Sequence, residues 1–222
     1  MKHDDLILIH APSVYDFRKE SILYGPVSDL VPSTPVFEMY PIGFTTLAEY
    51  LERDGFRVRI VNLAVLMMKD RDFAVEPFLQ RLRPKAFGID LHWMPHAHGS
   101  LAVASLLKKM HPDIPVIFGG FSSTYFHEEL VARPEVDYVL RGDSTEEPMR
   151  LLMRFISGPR GKGEVPAEIP NLTWKNPAAE VQVNPLTYIP PNLDHVRLDY
   201  SQVVRSVVRN RDLGGALPFI DW

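Results

Sequence analysis

Cysteine is absent from all 222 residues. Its absence excludes disulfides, thiolate metal sites, a cysteine nucleophile and any iron–sulfur cluster held by this chain itself. Also missing is an apolar run near the roughly 20 residues that a membrane-spanning helix needs. The opening MKHDDLILIH has neither the charged start nor the long apolar stretch of a secretory signal, so the expectation is a cytoplasmic protein with no membrane partner. There is no excess of positive charge. The net charge is −4, which argues against nucleic acid as a partner. No Gly-x4-Gly-Lys-Ser/Thr loop, no Gly-x-Gly-x-x-Gly, no Gly-x-Ser-x-Gly elbow and no Ser/His/Asp triad spacing is found. The residues therefore favour a binding module over a self-sufficient enzyme, with no catalytic residue assigned.

What is present is a succession of short apolar runs separated by helical stretches. Residues 6–10 (LILIH) read as a strand buried on both faces. A long segment from Ala11 to about Tyr40, with Pro12, Pro26, Pro32 and Pro35, has no periodicity. Pro41 can open a helix that Gly55 closes. A second strand follows at 56–63, a helix at 73–82, a third strand at 86–91 and a helix at 100–110. A fourth strand at 115–118 runs into Gly119 and Gly120. A helix at 125–132, a fifth strand at 136–140 and a last helix capped by Asp143 or Ser144 complete the series. Strand–helix alternation of this kind predicts an α/β, doubly wound, flavodoxin-like (Rossmann-type) sheet of five parallel strands in the order 2-1-3-4-5. The ligand crevice then lies between the ends of strands one and three.

The chain changes character after Gly158. Proline is plentiful, at 20 residues, and much of it falls from Pro159 onward. The expected division is a Rossmann-type domain over 1–158, followed by a linker, a small hairpin and an extended tail over 159–222. The hairpin is expected to turn at Asn176 and Pro177, and a helical patch at 200–209. The abrupt end at PFIDW suggests a fragment of a longer protein.

The side chains suited to chemistry gather where strands end. Asp90 closes an otherwise apolar strand, and a carboxylate there must find partners or suffer desolvation. His92, Trp93, His96 and His98 follow it, yet His96 and His98 point in different directions on a helix, so no protein-built metal site is expected from them. Gly119 and Gly120 let backbone approach a ligand. Phe121 and Ser122 lie just before the start of the next helix, Gly142 and Asp143 sit on the same edge, and Ser13 lies in the loop facing them.

At these residues the chain resembles the N-terminal cobalamin (B12)-binding-type domain of B12-binding radical SAM proteins. The pieces are PIGFTTLAEYLE from Pro41, GFRVRIVNL from Gly55, FGID from Phe87, KKMHPDIPVIFGG from Lys108, VDYVLRGD from Val136 and IPNLTW from Ile169, spread over about residues 5–175. The resemblance implies cobalamin on the C-terminal edge of the sheet. Ser13, Asp90, His92, Trp93, His96, Gly119, Gly120, Phe121, Ser122, Gly142 and Asp143 would lie about the corrin and its nucleotide tail. It also implies a C-terminal radical SAM domain as partner, carrying a Cys-x3-Cys-x2-Cys motif, a [4Fe–4S] cluster and S-adenosylmethionine for methyl transfer or related radical chemistry. One departure stands out. The cobalamin fold of methionine synthase and mutases carries Asp-x-His-x-x-Gly after strand one, whose His ligates cobalt. Here strand one runs into HAPSVY, whereas Asp90-Leu91-His92 follows strand three with Pro95 in place of the Gly. Cobalamin bound without a histidine, His92 as a cobalt ligand, and a degenerate docking or substrate-recognition domain without cobalamin all stay open. A flavin or nucleotide domain is a further alternative, disfavoured by the missing phosphate loop.

Overall fold

The runs Leu6–His10 (β1) and Ala86–Asp90 (β3) are buried at every position, as strands covered by helices on both faces must be. The computed structural model describes residues 4–19, 42–159 and 164–197, together with 199, 201, 204 and 208. β1 pairs in parallel with Val58–Asn62 (β2) on one side and with β3 on the other. β3 continues to Val116–Gly119 (β4), and β4 to Tyr138–Leu140 (β5), all parallel. The expected 2-1-3-4-5 order is therefore present, and the chain reverses its winding between β1 and β3.

The sheet has seven strands, not five. Leu172–Lys175 (β6) adds to β5 antiparallel, and Val181–Val183 (β7) adds to β6. The sequence reading took this hairpin for a separate appendage because proline and polar residues surround it. Two buried asparagines hold it in place instead. Asn171 donates to Tyr188 O at 2.9 Å and accepts from Tyr188 N at 3.0 Å. The Asn184 amide donates to Pro166 O and Ile169 O, each at 2.8 Å, and its oxygen accepts from the Trp174 indole at 3.0 Å. Ile169, Leu172 and Trp174 then join the core. The stretch beyond β7 is thus strapped to the sheet edge as far as the bonds of Asn171 reach. Of the helical patch expected at 200–209, Ser201, Val204 and Val208 are described and are helical, and the remainder lies outside the described residues.

Alternating side chains send Leu6 and Leu8 to one face and Ile7 and Ile9 to the other. The first face is covered by Ile42–Arg53 (α1) and Glu146–Ser157 (α7). The second is covered by Leu63–Lys69 (α2), Val75–Gln80 (α3), Ala97–Met110 (α4) and His127–Ala132 (α6), with Phe121–Tyr125 (α5) at the end of β4. α2 was not expected. Asn62 ends β2 and caps it by accepting from Val65 N at 3.0 Å, so strand passes into helix without a loop. α3 is shorter than the 73–82 expected. The helix expected at 125–132 is α6, and α5 precedes it where no helix was expected. The cap of α7 is Thr145, not Asp143 or Ser144, and its side chain makes no capping bond. Of the long segment after β1, residues 11–19 are described, and Pro41 lies outside the described residues. No helix among the described residues is long and apolar enough to cross a membrane.

The loop after β1 presses on α4. Gly99 N donates to Ser13 O at 3.1 Å, and a Cβ at Gly99 would fall 1.7 Å from Pro12 O. A Cβ at Gly43, in α1, would meet nothing within 4 Å. Gly99→Ala is expected to destabilise the protein by about 2–3 kcal/mol through overpacking. Gly43→Ala is expected to stabilise it by about 0.5–1 kcal/mol through helix propensity. Urea unfolding of both variants beside the wild type checks the pair.

Candidate functional site

Where the winding reverses, the ends of β1 and β3 lead into connections that run to opposite faces of the sheet. A cleft of about 400 Å³ opens there and continues down between α1 and α7. Its floor is the sheet face of Leu8, Gly88, Ile117 and Leu140, and its walls are Phe44 and Leu47 from α1 and Met149 from α7. Gly119 contributes no side chain, and a Cβ there would meet nothing within 4 Å. The neighbouring Gly120 is needed for another reason. It has φ +105°, and a Cβ on it would lie 2.8 Å from His92 N. Its left-handed conformation lets the β4–α5 turn close against the loop after β3, where Ser122 Oγ donates to His92 O at 3.2 Å.

At the mouth of the cleft, Asp90 lies between two imidazoles. Its Oδ2 is 2.8 Å from His10 Nδ1 and 3.0 Å from His92 Nδ1. The rings of His10 and His92 lie 5.9 Å apart, and that of His96 lies 5.3 Å from the first and 5.2 Å from the second. Burial alone pushes the Asp90 carboxyl up. The attraction and hydrogen bond of His10, then those of His92, outweigh burial and hold it well below the usual carboxylate range. Asp90 is therefore ionised, and each ring presents its Nδ1 proton to it. Asp90 Oδ1 is buried without a hydrogen-bond partner.

Among the residues expected to form the site, Asp90, His92, Gly119, Gly120, Gly142 and Asp143 line the cleft. His96 is buried behind its mouth, beside His10 and His92. Trp93 and Phe121 are exposed on the rim, at 46% and 59%. Ser122 holds the rim through its bond to His92 O. Ser13 is fully buried under α4, away from the cleft lining. His98 turns the other way and accepts from Tyr15 N at 3.4 Å. The sequence places residues 10–13 opposite residues 90–96 across the crevice but does not mark His10 as a site residue, because a histidine at the end of an apolar strand carries no signal until its partner 80 residues away is known. Nor did it find the walls Phe44 and Thr46, which look like ordinary helix residues.

Those walls are clamped. Thr46 Oγ1 donates to Glu146 Oε1 at 3.1 Å, and Tyr50 OH donates to Glu147 Oε2 at 2.9 Å, both across α1 and α7. Arg150 binds Glu147 through Nε at 2.6 Å, and Arg154 binds Asp54 through Nε at 2.7 Å. The Arg150 bond holds the Glu147 carboxyl below its ordinary value against the opposing effect of burial. The bond from Arg154 does the same for Asp54.

Comparison with known proteins agrees with this architecture. The B12 binding domain family matches residues 29–152. Hopanoid C-3 methylase of Methylococcus capsulatus is 29% identical over 148 residues, which is 65% of this chain and 27% of the methylase. Among solved structures, the radical S-adenosylmethionine methyltransferase TsrM of Kitasatospora setae, with cobalamin and a [4Fe-4S] cluster bound, is similar with a TM-score of 0.57. Its identity is 18% over 85% of this chain and 30% of TsrM. The cobalamin-dependent S-adenosylmethionine radical enzyme OxsB, with aqua-cobalamin and S-adenosylmethionine bound, gives a TM-score of 0.59 at 13% identity, over 95% of this chain and 26% of OxsB. At such identities the structural likeness speaks for the fold. The chain spans less than a third of the length of each of these relatives.

The clamp gives the cleft a pH dependence. Glu147 and Asp54 have folded pKa values below their unfolded values, so their contribution is complete above the unfolded carboxylate range of about 4 and is lost as pH falls below it. The melting temperature is expected to drop between about pH 5 and pH 3, and to drop less steeply in Glu147→Gln. Thermal melts of both proteins across that range, read by circular dichroism, check it.

Proposed function

Since the chain belongs to the B12-binding domain family, we propose that it binds cobalamin as one module of a longer radical SAM enzyme. The observation that carries this reading is the open slot between α1 and α7, continuous with the switch-point mouth. Its apolar floor and the bare backbone at Gly119 suit a flat heteroaromatic group such as the nucleotide tail of the corrinoid. The site thus fits the group at the level of shape and polarity.

Within this reading Leu8, Ile117, Phe44 and Met149 exclude water from the tail and bury its apolar faces. Thr46, Gly142 and Glu146 line the slot and offer polar atoms to the ribose and phosphate side. The exposed rings of Trp93 and Phe121 frame the mouth, where the corrin would rest. Bound corrinoid supplies a cobalt centre for radical or methyl-transfer chemistry. The [4Fe–4S] cluster and S-adenosylmethionine belong to a further domain, as the small share of each relative covered by this chain supports. That domain is the partner expected to meet the rim.

Anaerobic titration with hydroxocobalamin and methylcobalamin, followed by gel filtration and a visible spectrum of the protein peak, tests the reading. The wild type is expected to retain corrinoid. Gly119→Leu, which places a side chain in the slot where no atom opposes it, is expected to weaken retention at least tenfold, or about 1.4 kcal/mol. Equal retention by wild type and variant would overturn the slot assignment. Absence of retention in the wild type would overturn the cobalamin reading for this chain.

A further inference from the structure

Three imidazoles and one carboxylate converge at the switch point from separate elements. His10 comes from the end of β1, Asp90 from the end of β3, His92 from the loop beyond it and His96 from the 3-10 turn Met94–His96. One donor atom each from His10, Asp90 and His92 lie within 4.8 Å of one another. We infer that these three residues, with His96 beside them, form a binding site for a divalent first-row transition metal ion of the zinc class. The site borders the corrinoid slot, whose mouth Asp90 and His92 also line, and does not rest on that slot being filled.

The first argument is spacing. Bonds of about 2.0–2.1 Å to a tetrahedral ion set neighbouring donor atoms about 3.3 Å apart and the centres of neighbouring imidazoles about 5 Å apart. The donor pairs at Asp90 are 2.8 and 3.0 Å long, and two of the three ring separations are 5.2 and 5.3 Å. Protons hold the cluster at nearly the spacing that an ion would impose, so binding needs rotation of side chains and little movement of backbone.

The second argument is polarity. His10 and His96 are each 1% exposed and Asp90 is 8% exposed. Asp90 Oδ1 is buried without a hydrogen-bond partner. A buried carboxylate with one oxygen unused is a costly arrangement that a cation relieves. Nothing in the packing of the strands demands it, because the other positions of β3 are apolar or glycine.

The third argument is donor type. Imidazole nitrogen with one carboxylate oxygen suits zinc, iron, cobalt or nickel in the divalent state. Magnesium and calcium prefer all-oxygen sites, and copper(I) prefers sulfur. His92 stands at the rim with its side chain 36% exposed, which provides the entry path.

The test uses tag-free protein, stripped with chelator, without corrinoid. Zn²⁺ is titrated by calorimetry, and Co²⁺ by its visible ligand-field absorption. One ion per chain is expected at micromolar protein. His10→Ala and His92→Ala are each expected to weaken binding at least tenfold, while His98→Ala, whose ring makes its bond outside the cluster, leaves binding unchanged. Circular dichroism melts accompany each variant, and His92 is exposed enough for its truncation to leave the fold intact. No binding by the wild type, unchanged affinity in His92→Ala, or loss of binding in His98→Ala would each overturn the site. Corrinoid retention by the wild type, measured separately, reports on the cobalamin reading.

Discussion

A buried carboxylate ties the two halves of this fold together. Asp90 ends β3, His10 ends β1, and the 2.8 Å contact between them crosses the gap that the reversal of winding opens. The same short stretch anchors its surroundings through backbone. Asp90 O accepts from Ser100 Oγ at 3.1 Å and so positions α4. Leu91 N donates to Gly119 O at 2.8 Å, and Leu91 O accepts from Ser123 N at 3.1 Å, which fixes β4 and α5. An ionised group out of water demands partners, and the strand ends converge to supply them. The cleft mouth takes its shape from that demand.

The faces of the sheet divide the remaining work. On the face of α2, α3, α4 and α6 the buried apolar side chains form one continuous cluster. On the face of α1 and α7 a cleft opens over Leu8, Ile117 and Leu140. Hydrogen bonds from Thr46 and Tyr50, with the Arg154–Asp54 ion pair, tie α1 and the turn after it to α7 beside the cleft. An apolar slot and a polar, histidine-rich mouth therefore meet at one place, and the glycine at 119 joins them without obstruction.

Much of this was legible residue by residue. The five parallel strands follow from apolar runs too short for helices, and their order follows from alternation with helices. Asp90 could be singled out because a carboxylate ending an apolar strand is anomalous in itself. Gly119 and Gly120 could be singled out as a pair, although the separate reasons for each, open space at one and a left-handed φ at the other, appear only in three dimensions. The hairpin of β6 and β7 was visible, but its membership of the main sheet was not. That membership depends on Asn171 and Asn184, whose value lies in carbonyls and amides far along the chain. Ser13 and His98 sit near the right residues in sequence and face elsewhere in space.

The sequence by itself determined the strand and helix pattern, the parallel order and the edge of the sheet where polar groups collect, because burial on two faces and the period of a helix are local properties of a chain. Only the tertiary structure decided which of those polar groups touch. His10, Asp90, His92 and His96 come from elements up to 86 positions apart, and their convergence is a product of strand register and loop path. The slot between α1 and α7 is of the same kind. No single residue encodes an empty space, which exists only as the difference between two packed helices and the sheet beneath them.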